Sequence, residues 1–155
     1  MENCLKVGIL GAGNIAGSMA EALNELQKEG KACAYAVASR SQEKALEFAR
    51  KWNITRAYSS YEELASDQEV DLIYIATPHS LHYEQAKLCM EHGKNVLVEK
   101  AFTANARQAE ELFAMAEEKK VFITEAIWTR YMPSREIITG LLREGVIRSE
   151  EHTSE

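Results

Sequence analysis

Residues 4–16 read Cys4-Leu5-Lys6-Val7-Gly8-Ile9-Leu10-Gly11-Ala12-Gly13-Asn14-Ile15-Ala16. The run Cys4–Leu10 is short and apolar and stops at Gly11, which predicts a buried strand. Beyond it, Ile15, Met19, Leu23 and Leu26 recur at helical spacing. They predict a helix over Asn14–Glu29 with those four side chains inward and Gly30 closing its end. A strand therefore runs into a helix through a turn of small residues.

The alternation continues outward from that unit. Ala32–Ser39, Thr55–Tyr58, Asp71–Ala76, Asn95–Glu99 and Val121–Ala126 read as further strands. Between them, Gln42–Asn53, Tyr61–Ala65, Leu81–His92 and Ala106–Lys119 read as helices. Ala45, Phe48, Ala49 and Trp52 face inward on one, and Ala109, Leu112, Phe113 and Ala116 on another. A last helix over Pro133–Glu144 has proline in its first turn and Gly145 just past its end. Six near-continuous apolar strands alternating with helices predict a doubly wound, mostly parallel α/β sheet covered on both faces. A flavodoxin-like strand order is the alternative.

The turn Gly11-Ala12-Gly13-Asn14-Ile15-Ala16 matches G-x-G-x-x-[GA] in its required place, after a strand and opening a helix. Gly11 permits the tight turn, Gly13 leaves the backbone open to a pyrophosphate, and Ala16 allows close packing of helix on strand. Free N–H groups at the helix start, including those of Asn14 and Ile15, then face the phosphates. At the end of the second strand, Ser39-Arg40-Ser41 stands where an NAD site carries a carboxylate for the ribose 2′-hydroxyl. Hydroxyls and a guanidinium would instead receive a 2′-phosphate, so NADP is expected over NAD. The alternative is that Ser41 only caps the next helix and Arg40 is solvated.

Ligands of open α/β sheets sit at the carboxyl ends of the strands. Thr77-Pro78-His79-Ser80-Leu81-His82 follows the fourth strand, and Glu99-Lys100 ends the fifth. His79 suits a hydrogen-bonding position beside a cofactor, and His82 suits a helix start. Their HxxH spacing lacks the further ligands of a metal site, so no metal is expected. Lys100 could donate to a substrate oxygen and relay a proton; the alternative is a surface ion pair with Glu99.

The 155 residues are 46% hydrophobic, enough for one ordinary domain with a core. A net charge of −6 with no basic block argues against nucleic acid or an anionic membrane as partner. No apolar run approaches membrane-spanning length, and no signal peptide is read at the start. The three cysteines, Cys4, Cys33 and Cys89, have no paired spacing and read as buried thiols of a reducing, cytoplasmic compartment.

GAGNIA, SRS, ATPHSLHYEQA, NVLVEKAFT and EAIWTRYMP, in this order, resemble the Gfo/Idh/MocA family of NAD(P)-dependent oxidoreductases. The resemblance spans about residues 5–147 and is nearest the branch of dihydrodiol and NADP-linked sugar dehydrogenases. It implies a Rossmann-type fold. It also implies that Gly11, Gly13 and Ala16 bind pyrophosphate and that Ser39 and Arg40 bind the adenosine end. Thr77, Pro78 and His79 would line the nicotinamide side. Glu99 would touch the nicotinamide ribose, Lys100 would be the catalytic lysine, and Trp128 and Arg130 would flank the cleft. The alternatives are a core position for Trp128 and a surface pair for Arg130. The common motif is Glu-Lys-Pro; here its third residue is Ala101.

Family members carry a second α/β domain. Residues 1–147 are expected to form the dinucleotide-binding domain, with 133–147 beginning the crossover toward the second. Residues 148–155, RSEEHTSE, match the translation of a common sequencing-adapter read and are expected to be a non-native tail on a gene fragment. The function expected is the nucleotide-binding half of an NADP-dependent oxidoreductase. Its substrate would be a small polyol, such as a sugar, an inositol or a dihydrodiol, and the full-length protein would be a homo-oligomer. The fragment alone would bind NADP weakly and turn over little. The alternatives are a non-catalytic dinucleotide-binding or redox-sensing module, and a domain that joins a separate catalytic chain.

Overall fold

The computed structural model describes residues 4–146. The expected tail at 148–155 lies outside them. In chain order the elements are β1 (Leu5–Leu10), α1 (Asn14–Lys28), β2 (Ala32–Ala38), α2 (Gln42–Trp52), β3 (Arg56–Tyr58), α3 (Tyr61–Ser66), β4 (Leu72–Ile75), α4 (His82–Glu91), β5 (Asn95–Val98), α5 (Ala106–Lys119), β6 (Ile123–Glu125) and α6 (Pro133–Arg143). Short 3₁₀ turns at His79–Leu81 and Trp128–Tyr131 precede α4 and α6. The elements are those the periodicity predicts, with ends moved by one or two residues.

The six strands form one sheet in the order β3-β2-β1-β4-β5-β6, every neighbouring pair parallel. This is the Rossmann order, and it excludes the flavodoxin-like alternative. The chain winds outward from β1 in one direction and from β4 in the other. The crevice between the carboxyl ends of β1 and β4 is therefore the switch point where ligands bind in such sheets.

The two faces carry separate cores. One packs Val7, Ile9, Val37 and Tyr74 against Ala16, Ala20 and Leu23 of α1 and Phe48 and Ala49 of α2. The other packs Leu10, Ile73, Ile75, Val96 and Val98 against Leu64, Ala86, Met90 and Leu112 of α3, α4 and α5. Each fully buried Leu or Ile contributes roughly 1.5–3 kcal/mol relative to an exposed one. Lys94 is also buried. Its Nζ donates to the carbonyls of Asp67 and Val70, at 2.6 and 2.9 Å, and so fixes the loop from α3 into β4.

Several inward assignments are corrected. Ile15, Leu26 and Phe113 are exposed by 45%, 36% and 50%. Ile15 and Leu26 lie in the first and last turns of α1, where the helix outruns the sheet it covers. Phe113 instead stacks on Phe102, with ring centroids 5.3 Å apart. Of the cysteines only Cys89 is buried, and burial pushes its thiol up to about 12. Cys4 and Cys33 are half-buried at the amino end of the sheet.

Helix α3 begins with a reciprocal cap. Ser60 Oγ accepts from Glu63 N–H at 3.1 Å, and Glu63 Oε2 accepts from Ser60 N–H at 3.2 Å. Losing such a cap costs about 1 kcal/mol. Ser60→Ala is expected to lower stability by about that amount, read as the shift of the urea unfolding midpoint. An unchanged midpoint would mean that tertiary contacts alone hold α3.

Candidate functional site

The predicted turn closes β1 onto α1 at the carboxyl edge of the sheet. Gly11 has φ +108°, and a Cβ on it would lie 2.8 Å from the Ala76 carbonyl oxygen at the end of β4. Its N–H donates to Ala38 O of β2 at 2.9 Å. The turn is thus threaded between the ends of two neighbouring strands, where only glycine fits. Gly13 differs: a Cβ there would meet nothing within 4 Å. Gly13 is the N-cap of α1, with no side chain capping the first turn and no acidic residue in it. Among the described residues the N–H groups that begin α1 have no side-chain partner and lie beneath open space, which suits an anion. Asn14 and Ile15 are exposed there, and Ala16 is fully buried against the sheet.

Ser39 and Arg40 follow β2 at the same edge, Ser39 half-buried and Arg40 exposed. Ser41 caps α2, accepting from Lys44 N–H at 3.4 Å. A cleft of about 480 Å³ opens from Gly13 and Asn14 between α1 and α2, past Lys44 to Trp52.

Thr77, Pro78 and His79 follow β4. The Thr77 hydroxyl donates to Gln85 of α4, while Pro78 and His79 are exposed. His82 is the first residue of α4 but is fully buried, beyond a simple helix-start role. The His79 ring stands edge-on to it, with centroids 5.5 Å apart.

Glu99 and Lys100 follow β5. Glu99 Oε1 accepts from the Tyr74 hydroxyl at 2.5 Å, and Oε2 accepts from the Lys100 N–H at 3.1 Å. Burial raises the Tyr74 pKa, and the bond to Glu99 raises it further, so the phenol stays protonated as the donor. The carboxylate is therefore held by the buried phenol and by backbone, not by the Lys100 amine. Among the described residues Lys100 Nζ enters no hydrogen bond and no salt bridge, so the alternative of an ion pair with Glu99 is not what forms. Lys100 is exposed, and its peptide bond to Ala101 is cis.

Two further side chains hold this turn. Glu125, at the end of β6, accepts from Phe102 N–H at 2.8 Å. His82 meets the Ala101 carbonyl at 2.8 Å. Tyr74, Glu125 and the contacts of His82 were not found from sequence. Their only signals were a phenol in an otherwise aliphatic strand and polar residues at element ends.

Trp128 and Arg130 lie in the 3₁₀ turn after β6. Trp128 is 63% exposed, which rules out the core alternative, and Arg130 is exposed with no salt bridge among the described residues. No described hydrogen bond joins either to the rest of the site. The described residues contain no cluster of three or more metal-ligating side chains, and no helix among them is long and apolar enough to cross a membrane.

Known proteins resemble this chain in sequence and fold. The family model described as "Oxidoreductase family, NAD-binding Rossmann fold" matches residues 5–126. The chain is 43% identical over 143 residues to trans-1,2-dihydrobenzene-1,2-diol dehydrogenase of Mus musculus, covering 92% of this chain and 43% of that protein. It is 40% identical over 152 residues to D-xylose 1-dehydrogenase (NADP(+)) of Hypocrea jecorina, covering 92% and 39%. Among solved structures, a 3-ketoreductase from Actinomadura kijaniata in complex with NADP and TDP-benzene superimposes with a TM-score of 0.85 at 32% identity, covering 94% of this chain and 44% of that one. The chain thus spans less than half the length of the relatives it matches.

Proposed function

The chain belongs to the Gfo/Idh/MocA oxidoreductase family, and from that premise we propose that it is the nucleotide-binding part of an NADP-dependent dehydrogenase or reductase acting on a polyhydroxylated small molecule. The observation that carries this reading is the pairing of two features at one sheet edge. An uncapped helix start lies above Gly13, and two strands away is a lysine whose flanking backbone is fixed and whose amine has no hydrogen-bond or salt-bridge partner among the described residues. Two strand spacings place the two turns about 10 Å apart.

The residues present fit a nicotinamide dinucleotide. Gly11, Gly13, Asn14, Ile15 and Ala16 would hold its pyrophosphate on backbone N–H groups. Ser39 and Arg40 would hold the 2′-phosphate, Thr77, Pro78 and His79 would line the nicotinamide side, and Glu99 would accept from a ribose hydroxyl. Such a cofactor supplies hydride acceptance and donation when bound. Lys100 would donate a hydrogen bond to the reacting oxygen and move the proton that leaves or joins it. Trp128 and Arg130 would border the substrate side. Within the proposed substrate class of sugar, inositol or dihydrodiol, the names of the relatives support a sugar and a dihydrodiol, and the whole protein is proposed to be a homo-oligomer.

The cofactor choice is tested by Arg40→Ala. Removing one charge-assisted hydrogen bond costs about 1.5–3 kcal/mol, or roughly 10–100-fold. NADPH binding, followed by nicotinamide fluorescence, is expected to weaken by that factor while NADH binding stays unchanged. Equal losses for both, or none for either, would contradict an adenosine-end role for Arg40.

A further inference from the structure

His82 is a fully buried polar side chain that the proposed chemistry does not use. Its two ring nitrogens meet carbonyl oxygens from two different loops. Nδ1 lies 2.8 Å from Ala101 O, next to Lys100, and Nε2 lies 2.9 Å from Thr77 O, at the end of β4. A neutral ring donates from one nitrogen and a cationic ring from both. A neutral ring therefore donates to one of the two carbonyls and packs against the other, and only a cationic ring donates to both; either way the imidazole is a rigid spacer bonded to at least one loop and wedged against the second. The Thr77 loop is braced separately, by its hydroxyl on Gln85. The Lys100 turn is braced at Lys100 N–H by Glu99 and at Phe102 N–H by Glu125. Of the two carbonyls between those N–H groups, His82 meets the second, that of Ala101.

We infer that His82 is a positioning residue for Lys100, fixing its turn relative to the loop after β4. The inference rests on the reading of Lys100 as the group that faces the reacting oxygen. A purely structural histidine would affect folding and all ligand contacts alike. A positioning histidine acts on the Lys100 turn and leaves the Gly13 cradle intact.

The test uses the full 155-residue chain with its lysines ¹³C-dimethylated and the Lys100 signal assigned by Lys100→Arg. NADPH is titrated while the Lys100 methyl signal and the Gly13 amide signal are followed. His82→Phe keeps a ring of similar size and removes both polar contacts. It is expected to abolish the NADPH-induced shift of Lys100 while the Gly13 shift persists. His82→Asn, whose amide nitrogen takes the place of Nδ1, is expected to restore the Lys100 response. His82→Gln, whose amide nitrogen takes the place of Nε2, is not. A Lys100 response in His82→Phe equal to that of the native chain would overturn the inference. Absence of both shifts in the native chain would instead overturn the dinucleotide reading beneath it. If His82→Phe does not fold, ¹⁵N spectra of the native imidazole decide. A ring N–H protected from solvent exchange supports the strut, and one exchanging at the rate of an exposed histidine refutes it.

Discussion

Gly11→Ala is expected to destabilise the fold by roughly 2–5 kcal/mol, combining backbone strain with overpacking of similar size. The native φ of +108° is one that L side chains rarely adopt. The added Cβ would also stand 2.8 Å from the Ala76 carbonyl oxygen and 3.3 Å from Thr77 Cγ2. The nearer atom is backbone, at the end of a central strand, and cannot rotate away. Relief requires β1 and β4 to move apart, which breaks contacts such as Ala76 N–H on Leu10 O at 2.8 Å. A domain has about 5–15 kcal/mol in all, so the loss is a large share of it. Urea unfolding measures it, and a change under about 1 kcal/mol would mean that the turn is not as tightly threaded as described.

Gly13→Asp is expected to separate stability from binding with opposite signs. The position has φ −94° and open space around its missing Cβ, so no strain and no clash arise. Aspartate is moreover among the preferred N-cap residues, and its carboxylate would satisfy free N–H groups of α1. Folding is therefore expected to gain a few tenths of a kcal/mol. The same carboxylate would occupy the anion cradle and repel a pyrophosphate. Like charges about 4 Å apart near a protein surface repel by about 4 kcal/mol, which corresponds to roughly a 10²–10³-fold loss of NADPH affinity. Unfolding curves and fluorescence titration on the same variant read both effects. Retained affinity would place the pyrophosphate elsewhere.

The contrast between these glycines marks how far the sequence could be read. The alternation of apolar runs and helical periods identified every strand of the sheet. It also placed the G-x-G turn between a strand and a helix. Periodicity alone leaves the strand order open between Rossmann and flavodoxin-like, because the side on which each crossover packs depends on facing surfaces; the family resemblance implies the Rossmann order that forms. Periodicity likewise named the inward face of α1 and α5 without showing where the sheet beneath them stops. Hence Ile15 and Leu26, expected in the core, stand exposed at the ends of α1, while Phe113, also expected there, stacks on Phe102 and is half exposed. Candidate residues at the strand ends can be named from sequence because topology gathers those ends at one edge of the sheet. The side chains that hold them cannot. Tyr74 on Glu99, His82 on Ala101 and Glu125 on Phe102 join positions 25, 19 and 23 residues apart, and such pairings leave no local pattern. Ala101, where the family motif has proline, lies in a turn held from three sides by Glu99, His82 and Glu125.

A nicotinamide dinucleotide is proposed to bind across the carboxyl ends of β1, β4 and β5. Backbone ¹H–¹⁵N spectra of the native chain, recorded as NADPH is added, test it most directly. Binding at this edge is expected to give saturable shifts concentrated at Gly11–Ala16, Ser39–Arg40, Thr77–His79 and Glu99–Lys100, with the amino end of the sheet around Lys6 and Asp71 unmoved. A folded chain whose spectrum does not change, or whose shifts gather at that amino end, would contradict it.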